Sequence, residues 1–329
     1  MPLLAPWGEL GEAIGERVAS RLFRFADHTG RLQVLRGDIT PVIAWQVVRS
    51  LESRALPVRV AYANRVARVE RAFASQRLET YAVGMELIGA PGASADLEVI
   101  TVALDLVDAL GIHGHELHLG DVRIARGVID AIAPSADAAA RLQTALERRD
   151  AAVVAELSAD AGPELRAAAV ALCRVAPDAT LFDRLEALDL PDVAAACAAL
   201  RARFAELGRL VPDVPVVLDP TTFDDRGYYT GFRFRLVHPR MGEALGAGGR
   251  YDSLFGRLGR ALPATGIGVY IERVVALAAA LTPDDDAAPA AQFDASGVDP
   301  TEAVARARAA RRNGQRVVVA HAAADGGDR

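Results

Sequence analysis

An alanine-rich helical block, from about residue 122 to residue 209, interrupts a chain whose flanks are built of short strands and helices. The block carries little strand signal and breaks only near Pro134, Gly162–Pro163 and Pro177. Strands and helices mixed around such an interruption predict an α+β fold, a sheet flanked by helices with an inserted helical subdomain. The segments expected are a first core part at 1–121, the insertion at 122–209 and a second core part at 210–281. A linker at 282–300, rich in Pro, Asp and Ala, and a small tail at 301–329 complete the chain.

Residues 9 to 25 read as helix running into an extended piece. Strands are expected at Leu32 to Leu35, Val58 to Tyr62, Tyr81 to Ile88, Glu116 to Leu119, Val214 to Leu218, Phe232 to Leu236 and Gly266 to Tyr270. Thr40 is expected to cap a helix with Pro41 at its first position, and Ser94 to cap one with Leu97, Ile100, Leu104 and Val107 at helical spacing. The arginine-rich stretch Asn64 to Arg77 reads as a loop or splayed hairpin. A helix is expected at Ile271 to Leu281, and the tail should hold a last helix and the strand Arg316 to Ala320.

Composition narrows the chemistry. The 329 residues carry a net charge of −6, which argues against a broad nucleic-acid surface. All 37 cations are arginine, so Schiff-base and P-loop chemistry lack their lysine. Cys173 and Cys197 make neither a zinc site nor a disulfide framework and read as buried small hydrophobes. No apolar run approaches the ~18 residues of a membrane span, and no signal pattern opens the chain, so a cytoplasmic protein is expected.

Five segments then carry a resemblance. They are Leu35-Arg36-Gly37-Asp38-Ile39-Thr40-Pro41; Ala67-Arg68-Val69-Glu70 followed by Gly84-Met85-Glu86-Leu87-Ile88-Gly89; Gly227-Tyr228-Tyr229-Thr230-Gly231; Ala247-Gly248-Gly249-Arg250-Tyr251-Asp252; and Pro263 to Arg273. In this order they are similar to the LRPEGT segment, class II motif 2, the two histidine-specific motifs RGLDYYTG and GGRYD, and class II motif 3. The chain thus resembles histidyl-tRNA synthetase and its catalytically inert paralogues over about residues 20 to 281. The resemblance implies the class II synthetase-like antiparallel sheet, with the insertion where the synthetase also has one.

The resemblance also implies a pocket for histidine or a similar ligand, made by Asp38, Thr40, Glu86, Tyr228, Tyr229 and Tyr251. The residue types suit an amino acid: acids for ammonium and imidazole, flat phenols for walls. Taken singly, each has a plainer reading as helix cap, core tyrosine or surface carboxylate. Departures from the family pattern imply lost catalysis, so no catalytic residue, cofactor or metal is assigned. Asp224 stands where the synthetase has its activating arginine, with Arg226 two residues on, and a transition-state cation tolerates no such displacement. Ala82 replaces a ligand-binding glutamine, and Tyr270 replaces a glycine where a nucleotide base would need room. The class II arginines Arg68 and Arg273 remain, either for nucleotide contact or as structural partners of Glu70 or Glu272, and the motif arginine Arg250 is left without an assigned role.

Among these relatives the resemblance points to the regulatory subunits of ATP phosphoribosyltransferase. It implies a short-form catalytic subunit as partner, self-association in a hetero-oligomer, L-histidine as feedback inhibitor, and a place in the first step of histidine biosynthesis. A divergent histidine-activating ligase of the synthetase type is the alternative. Only 48 residues follow Leu281, so no anticodon-binding domain and no tRNA partner are expected. His113, His115 and His118 could suggest a metal, but solvent-facing or loop histidines are the simpler expectation.

Overall fold

The computed structural model describes residues 1–11, 14, 16–50, 55–67, 78–174, 179–221, 227–281, 291–294, 299–313, 315 and 317–320. Two units are distinguished, Met1–Leu277 and Ala278–Arg329. The larger opens with β1 (Leu4–Pro6), α1 (Trp7–Leu10), α2 (Glu16–Ala19), β2 (Arg24–Ala26), β3 (Leu32–Leu35) and α3 (Ile39–Ser50). It continues through β4 (Val58–Ala67), β5 (Glu79–Ile88), α4 (Ala93–Ala109) and β6 (Glu116–Asp121). Six helices follow: α5 (Val122–Ile132), α6 (Ala136–Glu147), α7 (Ala151–Leu157), α8 (Pro163–Ala171), α9 (Ala179–Glu186) and α10 (Pro191–Leu210). The sheet then resumes with β7 (Val216–Leu218), β8 (Phe232–Val237), β9 (Gly246–Arg250), α11 (Asp252–Arg257), β10 (Ala264–Tyr270) and α12 (Ile271–Leu281).

Seven strands form the main sheet in the order β4-β5-β10-β9-β8-β6-β7, antiparallel throughout except for the edge pair β6–β7. A smaller antiparallel sheet, β1-β3-β2, lies in the N-terminal region. The order brings β5, β9 and β10, which carry three of the five motif segments, side by side at the centre. One face packs on α3 and α11 through Ile39, Ile43, Val47, Leu254 and Phe255, together with Tyr228, Tyr229 and Tyr251. On the N-terminal side, Leu10, Val18, Val34 and Val42 bury a second cluster with Trp7 and Trp45 packed on it.

The structure corrects several local expectations. The first helix is not continuous: α1 and α2 are each one turn long. Strand β4 runs past Tyr62 to Ala67, because Arg59, Ala61, Ala63 and Arg65 alternate outward on an edge strand while Val58 and Val66 are buried. Helix α4 is entered through Gly92, whose positive φ of 84° favours glycine, so Ser94 is already inside the helix and caps nothing. At α3 the cap is Asp38, whose Oδ1 accepts the Thr40 N–H at 3.2 Å, and Thr40 lies within the helix. The glycine-rich segment around Gly248 is strand β9, which lacks the side chains that would show a two-residue alternation.

The insertion is tied to the core at the junction of α6 and α7. Its helices start on side-chain caps, Asp121 for α5, Ser135 for α6 and Asp150 for α7. Arg149, held at a left-handed φ of 54°, reaches the end of β7 and grips Asp219 through both carboxylate oxygens at 2.9 and 3.0 Å. Arg235 takes the same carboxylate at 2.5 Å. Burial alone would raise the Asp219 carboxyl, but these guanidinium groups win and hold it below its ordinary value. Cys173 and Cys197 are buried free thiols, and burial pushes Cys197 up to about 12, which makes it inert as a nucleophile.

In the smaller unit, β11 (Ala291–Asp294) and β12 (Val317–Ala320) pair in parallel around α13 (Pro300–Arg312). The stretch expected as linker, 282–300, therefore holds a strand; the rest of it up to 290 lies outside the described residues.

Asp219→Ala removes the shared counter-charge of two arginines. Because both guanidinium groups keep some solvent, the expected loss lies at the low end for a broken buried pair, about 3 kcal/mol. It should be read as a lower urea midpoint at unchanged slope.

Candidate functional site

The alternation of β5 sends Glu86 to the face covered by α3 and α11, where its side chain is 1% exposed. A lone carboxylate there would be prohibitive, and the chain supplies two hydroxyls. Thr40, at the start of α3, donates from Oγ1 to Glu86 Oε1 at 2.6 Å. Tyr251, immediately after β9, donates from its hydroxyl to Oε2. The neighbouring strand must yield space: a Cβ on Gly266 would stand 1.7 Å from Glu86 Oε2, so only glycine allows the carboxylate to lie on β10.

Asp38, Thr40, Glu86, Tyr228, Tyr229 and Tyr251 all line one cavity, of about 430 Å³ counting its open side. The six residues proposed from sequence are thus brought together. Tyr228 donates to Asp38 Oδ2 at 3.2 Å. The tyrosine rings form a connected wall: Tyr228 lies 4.9 Å from Tyr229 and 5.7 Å from Tyr251 between centroids, the second pair edge-on. Ala82, Ala247, Gly266 and Gly268 line the same space from three central strands, a set of small side chains that leaves room above the sheet.

Sequence reading missed Tyr62, which also lines the cavity and donates to the Ile267 carbonyl at 3.0 Å. Its signal was available: Tyr62 shares the inward face of β4 with Val58 and Val66. Tyr270 does line the cavity, and the guanidinium of Arg273 stacks 4.4 Å from its ring centroid.

Of the motif arginines, Arg250 and Arg273 do not join the cavity. Arg250 projects to the opposite side, donating to Asp96 Oδ1 at 2.7 and 3.1 Å, to Asp252 at 3.2 Å and to the Gly92 carbonyl at 2.9 Å. Arg273 donates to the Ala244 carbonyl at 2.7 Å and pairs with Glu243 at 2.9 Å. Both are held by the protein itself. Arg68, Asp224 and Arg226 lie outside the described residues.

The histidines do not converge either. His113 is exposed, His115 is buried, and His118 meets Glu116 at 3.0 Å. Among the described residues no group of three or more His, Cys, Asp or Glu side chains is placed to hold a metal. None of the described helices is long and apolar enough to cross a membrane.

Burial pushes the Glu86 carboxyl up to about 8; the Thr40 and Tyr251 hydroxyls pull it down, and nearby Asp38 adds to the rise. Burial and the Glu86 charge likewise hold the Tyr62 and Tyr251 phenols well above their ordinary value, so both remain neutral donors. In the unfolded chain Glu86 titrates near 4.5, so between there and about 8 the native state binds the extra proton. The stability this proton confers is whole below pH 4.5 and is lost as pH rises through about 8. Glu86→Gln, neutral at every pH, should abolish that slope. Urea unfolding between about pH 5 and about pH 9 should show the wild type losing a few kcal/mol more than the variant.

A family model described as histidyl-tRNA synthetase matches residues 1–274. An ATP phosphoribosyltransferase regulatory subunit of Moorella thermoacetica is 32% identical, covering 94% of this chain and 79% of that one. One from Paramagnetospirillum magneticum is 34% identical over 84% and 71% of the two chains. A solved structure from Bacillus halodurans, described as an ATP phosphoribosyltransferase regulatory subunit/histidyl-tRNA synthetase, superposes with a TM-score of 0.73 at 28% identity, covering 97% of this chain and 82% of that one. Histidyl-tRNA synthetase from a Nostoc species shares the fold at a TM-score of 0.67 and 17% identity, covering 99% and 78%. Motifs, sheet order and these likenesses agree, and the chain belongs to the histidyl-tRNA synthetase-like family that includes the ATP phosphoribosyltransferase regulatory subunits.

Proposed function

We propose that this chain is a non-catalytic regulatory subunit that binds histidine and, in complex with a short-form catalytic ATP phosphoribosyltransferase, both enables and feedback-inhibits the first step of histidine biosynthesis. The observation that carries the reading is the buried Glu86, held by Thr40 and Tyr251 inside a tyrosine-walled cavity that also contains Asp38. Such a site suits a ligand with an imidazole and an ammonium. In this reading the Glu86 carboxyl hydrogen-bonds an imidazole nitrogen and Asp38 takes the ammonium. The phenol rings flank a flat heterocycle. Bound histidine then acts through differential affinity, favouring whichever state of the assembly closes best around it.

Support for the absence of adenylate chemistry comes from two sides. Arg250 and Arg273 are occupied by Asp96 and Glu243, and Tyr270 stands in the cavity where the family has a glycine. The acid at Asp224, where the synthetase has an arginine, removes the cation that activation needs.

Calorimetry with L-histidine tests the ligand: binding to the wild type is expected, weakened at least ~10-fold in Asp38→Asn, in line with the loss of a charge-assisted hydrogen bond. Mixing the chain with the catalytic subunit should raise phosphoribosyl-ATP formation, and histidine should then suppress it. Histidine-dependent ATP–pyrophosphate exchange by the chain alone would instead establish the ligase.

A further inference from the structure

On the other side of the sheet from Glu86 lies a second, half-enclosed cavity of about 430 Å³, counting its open side. Its walls come from two parts of the fold. The insertion gives Arg123 from α5 and Leu200 and Arg203 from α10, while the core gives Thr230, Arg250 and Asp252. The charges are not distributed evenly. Asp96, fully buried, is shared by two guanidinium groups, Arg203 at 3.1 Å and Arg250 at 2.7 Å. Asp252 remains half exposed, and only its Oδ1 is engaged, by Arg250 and by the Ala264 N–H at 2.9 Å.

The donors left over are specific. Arg123 spends Nε and Nη2 on Asp121, at 2.9 and 2.7 Å, and Arg203 spends Nε and Nη2 on Asp96. Among the described residues, Nη1 of Arg123, Nη1 of Arg203 and Oδ2 of Asp252 have no hydrogen-bond partner. Each of these residues is fixed by its other atoms, so its remaining polar edge is pre-positioned at little entropic cost. One wall thus presents guanidinium donors and another a carboxylate acceptor.

We propose that this cavity binds a small zwitterion of the α-amino-acid class, its carboxylate on Arg123 and Arg203 and its ammonium on Asp252. The unengaged atoms are of both kinds, two guanidinium donors and one carboxylate oxygen, which matches the two ends of a zwitterion and neither a lone anion nor a lone cation. Because Arg203 belongs to α10 and Asp252 to the core, the ligand fastens the insertion to the sheet. The site is independent of the histidine reading, although one motif serves both: Tyr251 turns to the Glu86 cavity while Arg250 and Asp252 turn to this one.

Thermal unfolding of the full chain with glycine, acetate, methylamine and glycine betaine tests the proposal. Glycine at millimolar concentration should raise the midpoint by about 2 °C or more. Betaine, which has the same charges but no N–H to donate, controls for a general osmolyte effect and should do nothing, as should acetate and methylamine. Asp252→Asn, which keeps an oxygen for Ala264 and Arg250, should lose the glycine response, and Arg203→Gln should weaken it. Asp38→Asn, in the other cavity, should retain it. Equal shifts with acetate or betaine, no shift with glycine, or an undiminished shift in Asp252→Asn would each overturn the proposal.

Discussion

A carboxylate buried at the centre of the sheet sets the terms for everything around it. Glu86 occupies a place on β5 where a hydrophobic side chain would pack without cost, and its burial raises its proton affinity by several orders of magnitude. Three otherwise unrelated features follow from accommodating it. Helix α3 must begin so that Thr40 faces inward, β9 must end so that Tyr251 does, and β10 must carry glycine at 266. These requirements fall in three of the five motif segments, which is why residues far apart in the chain are constrained together. A stability argument alone would replace the whole set with apolar residues. Its presence is intelligible as a recognition site whose partner groups arrive with a ligand.

Much of this was legible in the sequence, and the failures have a common cause. Strand β3 and helix α12 fall where patterning put them, because each has its own apolar face. The six cavity residues were found because each sits in a motif with a fixed neighbour. What failed was the assignment of local roles that tertiary structure had already taken. Thr40 looks like a helix cap and would serve as one. In the fold its hydroxyl is used by Glu86, and Asp38 supplies the cap from two residues earlier. Strand β9 was invisible because its pairing partners, not its side chains, make it a strand.

The arginines show the same limit from the other side. Sequence reading left Arg273 open between nucleotide contact and structure, and gave Arg250 no assigned role. Only the register decides. Arg250 pairs with Thr265 across β9–β10, so its side chain shares that residue's face, away from Gly266 and the Glu86 cavity. Once there, its five donated hydrogen bonds connect the loop before α4, the buried Asp96 of α4 and the start of α11. A motif arginine can therefore be held in place by packing and ion pairs alone.

That placement makes the GGRYD-like segment a junction. Successive side chains, Arg250, Tyr251 and Asp252, alternate between two cavities on opposite faces of one sheet. Tension on Tyr251 from the Glu86 side cannot be absorbed locally, because the residues on either side are pinned by ion pairs and by the Ala264 N–H. The same ion pairs reach α10 through Asp96 and Arg203, and the α6–α7 junction of the insertion is held by Arg149 on Asp219. A change at either cavity thus has a continuous path of charged and hydrogen-bonded contacts to the helical subdomain.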